Sequence, residues 1–370
     1  MRRESYKVLI LTGKFGMGHY SASNSLSEDI KAKFDNSEIT IKDIFEYIMP
    51  NYSDKMYKTF SILVNRGSSL YNLFYKCAEN GKKDIKFTFS DYFLNKLDTL
   101  LNEVQPTVVI STFPFCSQLV SRYKEKYNSN LPLITCITDI SSHSEWISKN
   151  TDCYLVASKS TKEELVFKGI DESKIKVNGI PVKKEFKRIE HINHSTKKNI
   201  LIMGGGLGLL PKSEQFYREL NGLEGVKTTV ITGNNKKMYY KLYGRYENIE
   251  VVGYTNEVYK YMKDSDLIIS KPGGITLFET IYSELPILAF NPFLQQEIDN
   301  ASFILNNEIG RILGKNKKYY VDEIKDLIYD DVTLKEMSSN MKELKKQFDN
   351  NTLENILFSL DEQGACRECM

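Results

Sequence analysis

Residues 266–290 read as strand, glycine turn, helix and strand, and this order restricts the possible fold more than any other feature of the chain. The apolar strand ends at Ser270, the turn is KPGG at residues 271–274, and the helix ends before Pro286. Glycines permit a tight turn and let a ligand approach the main chain closely. Because free N–H groups at the helix start face an anion, the segment predicts half of a nucleotide-binding α/β unit that holds a phosphate or diphosphate. A glycine turn that only packs a helix on a strand is the alternative.

Polar side chains follow this turn in two places. Glu279 lies one turn into the helix, and Gln296 and Glu297 come after the second strand. Carboxylates and amides bind the hydroxyls of a ribose and of a sugar. These residues therefore indicate a sugar nucleotide as the ligand.

The same order of strand, glycine-rich loop and helix occurs at residues 7–30 and again from residue 199. The first loop is not a Walker A motif, because no Gly-Lys-Ser/Thr closes it, and it lacks the third glycine of a dinucleotide fingerprint. In open parallel sheets, ligands bind outside the carboxyl ends of the strands. The repeated pattern predicts an α/β protein with two nucleotide-binding-type sheets.

Two domains also fit the size of the chain, since 370 residues with 41% hydrophobic content can bury two cores. The polar segment of residues 183–198 reads as a linker. We predict an N-terminal domain over residues 1–185, a C-terminal domain over residues 186–345, and a helix and tail over residues 346–370.

His19 is the candidate catalytic base, because a glycine loop places it at the start of a helix. A helix N-terminus disfavours the imidazolium and keeps the ring neutral, and general bases are most often histidine. A capping histidine is the alternative. Asp139 and His143 also follow a strand, ahead of Trp146, the only tryptophan of the chain. We expect Asp139 and His143 to lie at the same sheet edge as His19.

Residues 50–101 interleave aromatic and basic side chains with helical spacing. Such a stretch can lie in the headgroup layer of an anionic membrane, with its rings buried and its lysines at the phosphates. An aromatic core with a solvated lysine face is the alternative. Nucleic-acid binding is disfavoured, because the formal net charge is only +2.

Several features exclude other classes of protein. No apolar run approaches the roughly 18 residues of a bilayer span, and no secretory signal precedes the first strand. Four cysteines are scattered in apolar surroundings, as reduced core cysteines usually are, which favours an intracellular protein. Asp264-Ser265-Asp266 has the DxD form of a manganese site, but Asp266 begins a buried strand, so we expect no metal there.

Motifs in both halves, taken in order, resemble the monogalactosyldiacylglycerol synthase and processive diacylglycerol glucosyltransferase group of glycosyltransferase family 28. The resemblance runs from about residue 8 to residue 310, on GKFGMGHYSAS, TDISSHSEW, GIDESKIKVNGIPVKKEF, MGGGLGLLP, VVGYTNEV, SKPGGITLFET and NPFLQQEIDN. It implies the GT-B fold, in which two Rossmann-like domains face each other across a cleft, with the acceptor on the N-terminal domain and the UDP-sugar on the C-terminal one.

The resemblance also implies a function. It is the inverting transfer of a hexose from UDP-glucose or UDP-galactose to the hydroxyl of diacylglycerol, with no cofactor or metal ion. The enzyme would be cytoplasmic and peripheral on the inner face of the cell membrane. Another family 28 acceptor, such as a lipid-linked cell-wall intermediate or a small natural product, and a nucleotide-sugar-binding protein without catalysis are the alternatives.

Position by position, the resemblance makes His19 the general base and places Asp139, His143 and Trp146 on the acceptor side. The donor positions that it implies are Gly253, Tyr254 and Thr255 for the uracil; Gly206, Gly273, Gly274 and Thr276 for the diphosphate, with Lys183 nearby; Glu279 for the ribose; and Gln296 and Glu297 for the sugar. The family usually reads Pro-Gly-Gln-Glu at the last site, and this chain has Gln295 in the glycine position. If that glycine needed a positive φ, Gln295 would change the loop.

Overall fold

The structure is a computed structural model, and it describes residues 5–15, 18–55, 57, 90–189, 197–206, 208–292, 294–348 and 353–360. The chain forms two compact units, one of Met1–Lys183 with Gln347–Met370 and the other of Lys184–Lys346. The segment after residue 346, which the sequence analysis set apart, thus belongs to the first unit.

The first unit contains a parallel sheet of six strands among its described residues, in the order β2-β1-β3-β4-β5-β6. The strands are β1 (Lys7–Thr12), β2 (Glu38–Asp43), β3 (Val108–Ser111), β4 (Leu133–Cys136), β5 (Cys153–Val156) and β6 (Ile175–Val177). The helices between them are α1 (Gly18–Lys33), α2 (Ile44–Ile48), α3 (Ser90–Val104), α4 (Pro114–Tyr127) and α5 (Lys159–Phe167). Every residue of β3, β4 and β5 is buried, which explains why these strands are continuous apolar runs in the sequence.

The second unit repeats the design with the strand order β12-β11-β10-β7-β8-β9, again all parallel within the described part of the chain. Its strands are β7 (Lys198–Met203), β8 (Val226–Ile231), β9 (Ile249–Val252), β10 (Leu267–Ser270), β11 (Ile287–Ala289) and β12 (Gly310–Ile312). Its helices are α6 (Lys184–Lys187), α7 (Glu214–Asn221), α8 (Lys236–Leu242), α9 (Val258–Lys263), α10 (Gly274–Tyr282), α11 (Gln295–Asn306), α12 (Tyr320–Ile328) and α13 (Asp331–Lys345).

Each sheet has one place where the strand order reverses. In the first unit the chain passes from β1 to β2 on one side, and β3 then adds on the other side of β1. In the second unit β8 and β9 extend the sheet on one side of β7, and β10 adds on its other side. At such a switch point the connections leave in opposite directions and open a crevice outside the strand ends, where ligands bind in open α/β sheets.

Two edge strands were not predicted from the sequence. The sequence of β2, EITIKD, alternates polar and apolar residues, and five of its six residues are partly or fully exposed, so it has no apolar run to mark it. β12 has only three residues, and it begins at Gly310, where a Cβ would lie 2.0 Å from the carbonyl oxygen of Ile287. Glycine is therefore needed there for the close approach of two strands.

The amphipathic stretch of residues 50–101 is described only at its ends, and residues 58–89 lie outside the described residues. At the C-terminal end, Leu97 and Leu100 of α3 are fully buried in the core of the first unit. The described ends thus contribute apolar residues to this core, whereas Tyr52 and Tyr92 are 63% and 49% exposed, and both the aromatic-core alternative and membrane contact remain predictions. Among the described helices, none combines the length and hydropathy that a bilayer crossing requires.

A helix of residues 353–360, α14, packs on α1 and the edge of the first sheet. Ile356 and Leu357 are 3% and 1% exposed. The rings of Phe34 and Phe358 meet edge to face with centroids 5.7 Å apart, and Lys33 Nζ lies 3.0 Å from Glu354 Oε2. This apolar contact is the reason that the C-terminal segment belongs to the first unit.

We expect Leu357→Ala to lower the free energy of unfolding of the first unit by about 2–5 kcal/mol, because it leaves a cavity under α14. Asn355→Ala, an exposed position of the same helix, should change it by less than about 0.5 kcal/mol. Urea unfolding followed by circular dichroism measures both. Equal stabilities of the two variants would contradict the packing of α14.

Candidate active site

His19 lies in the first turn of α1, directly above the carboxyl end of β1 at the switch point of the first sheet. Its Nδ1 is 2.7 Å from the hydroxyl of Thr138, which follows β4. The ring meets Phe113 edge to face at 5.1 Å and lies 6.2 Å from the ring of Trp146. Residues that follow two different strands, β3 and β4, therefore hold the orientation of this imidazole.

A chain of buried hydroxyls supports the backbone below the ring. Ser23 Oγ donates to the carbonyl oxygen of His19 at 2.9 Å and lies 2.8 Å from Thr112 Oγ1. The Thr112 hydroxyl in turn donates to Thr12 Oγ1 at 2.9 Å. Because all three hydroxyls are buried, the first turn of α1 is tied to the ends of β1 and β3.

Burial lowers the pKa of His19 from its ordinary value of 6.5, and the nearby Asp139 carboxylate and a hydrogen bond with the Thr112 backbone oppose this shift. Trp146 Nε1 donates to Asp139 Oδ2 at 3.0 Å and fixes that carboxylate. The structure thus brings Asp139 and Trp146 to His19. Desolvation therefore favours the neutral form of the ring, whereas the sequence analysis invoked only the helix N-terminus.

His143 is 4% exposed and caps the N-terminus of the short 3₁₀ turn Ser144–Trp146. Its Nδ1 accepts a hydrogen bond from the Glu145 N–H at 3.3 Å. Its structural contribution is to begin the turn that carries Trp146. An acceptor-binding role for His143 stays a prediction.

Aromatic rings form a partly exposed wall beside His19. Phe15 stacks on Phe113 at 5.2 Å and meets Phe45 and Tyr57 edge to face. The Tyr57 hydroxyl lies 2.6 Å from both carboxylate oxygens of Asp43, which raises the pKa of Tyr57 together with its burial. Phe45 is buried behind the other rings, so the partly exposed Phe15, Tyr57 and Phe113 present the apolar surface of this aromatic wall to any molecule that reaches the imidazole.

In the second unit, two glycine loops pack on each other at the carboxyl ends of β7 and β8. Gly205, Gly208 and Gly233 have positive φ. A Cβ on Gly208 would lie 2.0 Å from the Thr232 carbonyl oxygen, and one on Gly233 would lie 2.7 Å from that of Gly205. Asn235 joins the loops through its Nδ2, which donates to the Gly208 carbonyl oxygen at 2.9 Å. These glycines are thus required by the packing of the loops themselves.

Lys271 is the functional candidate that the sequence analysis missed. It follows β10 at the second switch point, and its Cε lies 3.4 Å from the position that a Cβ on Gly205 would take. Its Nζ donates to Oε1 of Glu297 at 3.1 Å, and Glu297 is only 4% exposed. Lys271 was read only as part of the KPGG turn, yet a cation after a strand and beside two glycine loops is itself a signal for an anion site.

The KPGG turn leads into α10 and leaves open space. A Cβ built on Gly273 would meet nothing within 4 Å, and its φ of −88° suits any residue. Neither strain nor packing therefore explains this glycine, whereas a ligand close to the backbone would. Gly274 and Thr276 lie in the first turn of α10 and Glu279 in the second, all partly exposed.

The remaining predicted donor residues lie at the carboxyl edge of the second sheet or in α11. Gly253, Tyr254 and Thr255 follow β9, and Tyr254 is half exposed. Gly206 lies in the first glycine loop and accepts the N–H of Asn234 at 3.2 Å through its carbonyl oxygen.

Helix α11 begins at Gln295, so this residue has helical backbone and not the positive φ that would demand glycine. Gln296 is partly exposed in the next position, and Asn300 Nδ2 donates to the Pro272 carbonyl oxygen at 2.8 Å. Together with the contact between Lys271 and Glu297, this bond ties α11 to the KPGG turn. Lys183 is partly exposed. It ends the first of the two chain segments that form the first unit.

The DxD sequence lies at the opposite edge of the second sheet, before β10. Asp266 Oδ2 accepts the N–H of Asn199 at 2.7 Å and so aligns the start of β7 with β10. Throughout the described ranges, no three His, Cys, Asp or Glu side chains gather as a metal site would require.

Two family models match the chain. The description "Monogalactosyldiacylglycerol (MGDG) synthase" covers residues 19–182, and "Glycosyltransferase family 28 C-terminal domain" covers residues 199–355. A protein of Staphylococcus epidermidis named "Processive diacylglycerol beta-glucosyltransferase" is 30% identical over 362 residues, which cover 93% of this chain and 90% of the relative.

Solved structures share the fold. MurG of Acinetobacter baumannii is 12% identical, with a TM-score of 0.64 over 96% of this chain and 99% of its own. The spinosyn rhamnosyltransferase SpnG, complexed with thymidine diphosphate, is 13% identical, with a TM-score of 0.61 over 96% of this chain and 100% of its own. The two-sheet α/β architecture of the GT-B class is thereby confirmed.

We expect Asp139→Asn to lower the pKa of His19 further, because the variant removes a carboxylate that stabilises the imidazolium. Asp91→Asn, an exposed site paired with Lys126, should leave the pKa of His19 unchanged. An NMR titration of the ring measures both pKa values. An unchanged or higher pKa of His19 in Asp139→Asn would show that the Asp139 carboxylate does not stabilise the imidazolium.

The same shift predicts a pH dependence of stability. Because the folded-state pKa of His19 lies below 6.5, the unfolded chain binds the proton more readily, and the free energy of unfolding falls as the pH drops below about 6.5. His19→Gln should remove this part of the dependence in urea unfolding at several pH values. An unaltered pH profile in His19→Gln would exclude His19 as its source.

Proposed function

Because this chain belongs to the group of family 28 glycosyltransferases that includes monogalactosyldiacylglycerol synthases and processive diacylglycerol glucosyltransferases, we propose that it transfers glucose from UDP-glucose to the hydroxyl of diacylglycerol. The geometry that supports this most is the neutral imidazole of His19, held at a switch point beside an apolar aromatic wall. The name of the similar staphylococcal protein favours glucose over galactose as the sugar.

His19 acts as the general base in this proposal. Its ring takes the proton of the acceptor hydroxyl as that oxygen attacks C1 of the sugar from the face opposite UDP. A single displacement of this kind inverts the configuration at C1. A neutral ring is required for the step, and the desolvation of His19 favours that form.

The second unit stabilises the leaving UDP. The diphosphate gains negative charge as the bond to C1 breaks, and the N–H groups at the start of α10 and the glycine loops lie at one edge of the sheet. Lys271 adds an ammonium group there, and buried Glu297, its ion-pair partner, holds its side chain toward Gly205. Since these groups neutralise the developing charge, we propose that the transfer needs no metal ion or other cofactor.

The aromatic wall of Phe15, Phe45, Tyr57 and Phe113 supports a lipid acceptor. It places apolar surface next to the base. A soluble, fully hydroxylated acceptor would gain little binding free energy from contact with such a surface. A lipid acceptor implies that the enzyme works as a peripheral protein at a membrane surface.

The direct experiment supplies radiolabelled UDP-glucose or UDP-galactose with diacylglycerol in detergent micelles, with and without EDTA. Glucolipid formed at the same rate in EDTA supports the proposal. Exclusive use of galactose would correct the sugar, and loss of transfer in EDTA would overturn the metal-free mechanism. Hydrolysis of both donors without lipid product would overturn the assignment of diacylglycerol as the acceptor.

We expect His19→Ala to lose at least about a hundredfold in kcat, because it removes the general base. UDP should still bind, because the predicted donor residues of the second unit remain. Transfer assays and calorimetric titration with UDP measure the two properties. Near-normal turnover would remove His19 from the mechanism.

We expect Lys271→Met to lower kcat/KM for UDP-glucose by about tenfold to a thousandfold, because a charge at the diphosphate is lost. Lys271→Arg should retain more activity than Lys271→Met. The matched control is Lys260→Met, which breaks an exposed lysine–glutamate pair with Glu257 in the same unit. Equal activity of Lys271→Met and Lys260→Met would exclude Lys271 from the donor site.

A further inference from the structure

One face of α8 and the turn after it expose aromatic and basic side chains that the proposed chemistry does not use. We call this the tyrosine face: Lys236, Lys237, Tyr240, Tyr243 and Arg245. Tyr240 is 74% exposed and Tyr243 is 62% exposed, and the three basic residues are exposed as well.

The helical period separates this face from the core. Met238 and Leu242 are buried on the opposite side of α8. Tyr239 lies between the two sides: it packs on the core, stacks on Tyr243 at 5.1 Å and meets Tyr240 edge to face at 5.4 Å. The two exposed rings are thus held in place by a ring that is anchored beneath them.

The charges of the tyrosine face have one sign. Residues 232–246 contain four basic residues and no acidic one, and the exposed Glu247 follows them. The acidic side chain that reaches them from a neighbouring helix is Glu214, whose Oε1 is 3.6 Å from Arg245 across an exposed pair. Lys241 Nζ donates to the Lys212 carbonyl oxygen at 2.7 Å, which brings the backbone of a fifth basic residue close to α8.

Helix stability does not explain this arrangement. Lys236 and Lys237 occupy the first turn of α8, where the helix dipole disfavours cations. Large aromatic rings that stay exposed to water also contribute no free energy of burial. A partner that is negatively charged and accepts amphipathic rings would compensate for both.

We propose that the tyrosine face is a contact site for an anionic lipid surface, separate from residues 50–101. Tyrosine rings reside at the headgroup level of membranes, and lysine and arginine side chains bind the anionic headgroups around them. A single exposed helix face suits a flat layer, whereas a nucleic-acid strand requires a groove that follows several phosphates. The partner fits the lipid acceptor of the proposed function, but the binding can be tested without sugar transfer.

The only tryptophan of the natural chain, Trp146, is 1% exposed, so Tyr240→Trp introduces an exposed indole as a reporter. The variant is mixed with phosphatidylglycerol vesicles brominated near the top of the acyl chains. The matched control is Tyr319→Trp, since Tyr319 is 50% exposed, follows Lys317 and Lys318, and comes after β12 at the other edge of the same sheet. Bromine quenches an indole only when the ring enters the lipid layer.

We expect strong quenching of Tyr240→Trp and little of Tyr319→Trp. Adding Lys236→Gln and Lys237→Gln to Tyr240→Trp should weaken vesicle binding by about thirtyfold, and adding Lys317→Gln and Lys318→Gln should not. Raising the salt concentration should also weaken binding.

The proposal is overturned if Tyr240→Trp is not quenched, if both reporters are quenched equally, or if brominated phosphatidylcholine quenches Tyr240→Trp as well as phosphatidylglycerol does. A fluorescence change with single-stranded RNA in place of vesicles would assign the face to nucleic acid instead. Because sugar transfer is assayed in detergent micelles, these results stand apart from success or failure of the proposed function.

Discussion

Within each sheet, every strand runs in the same direction as its neighbours, and this constraint decides where the chemistry of the molecule can lie. Parallel strands bring all their carboxyl ends to one edge, and the loops that leave that edge carry His19 in one unit and Lys271 in the other. The reversal of strand order separates two of these loops and leaves room between them. Both candidate residues lie at the reversal of their own sheet, although the sequences around them have little in common.

The two switch points use burial in opposite ways. Around His19, desolvation and an apolar wall keep a titratable ring neutral, so that it can accept a proton. Around Lys271, a buried carboxylate accepts a hydrogen bond from the ammonium group and holds it at the rim of the glycine loops. One site therefore suppresses a charge and the other maintains one, as expected of a base and of an anion-binding group respectively.

The sequence predicted those parts of the fold that have a local signature. Central strands such as β3 and β10 are apolar runs because both of their faces are covered, and the glycine loops mark the strand ends. Two of the four edge strands in the described sheets were missed, because β2 is half exposed and β12 is held by a glycine contact that only the folded sheet creates.

The candidate site shows the same division between local and long-range information. His19 was found from its position after a glycine loop, but Thr138, which fixes its ring, is 119 residues away in the chain. Lys271 was missed because its meaning depends on Gly205, in another loop, and on Glu297, in helix α11. Contacts between residues so far apart in the chain follow no periodicity or fixed spacing in the sequence. They become visible only in the tertiary structure.

The helix of residues 353–360 has a consequence for biosynthesis. The apolar surface of Phe34 and its neighbours is completed by Ile356 and Leu357, which leave the ribosome only after the whole second unit has been translated. Until then the nascent first unit exposes part of its core to solvent, and a chaperone could bind this apolar surface.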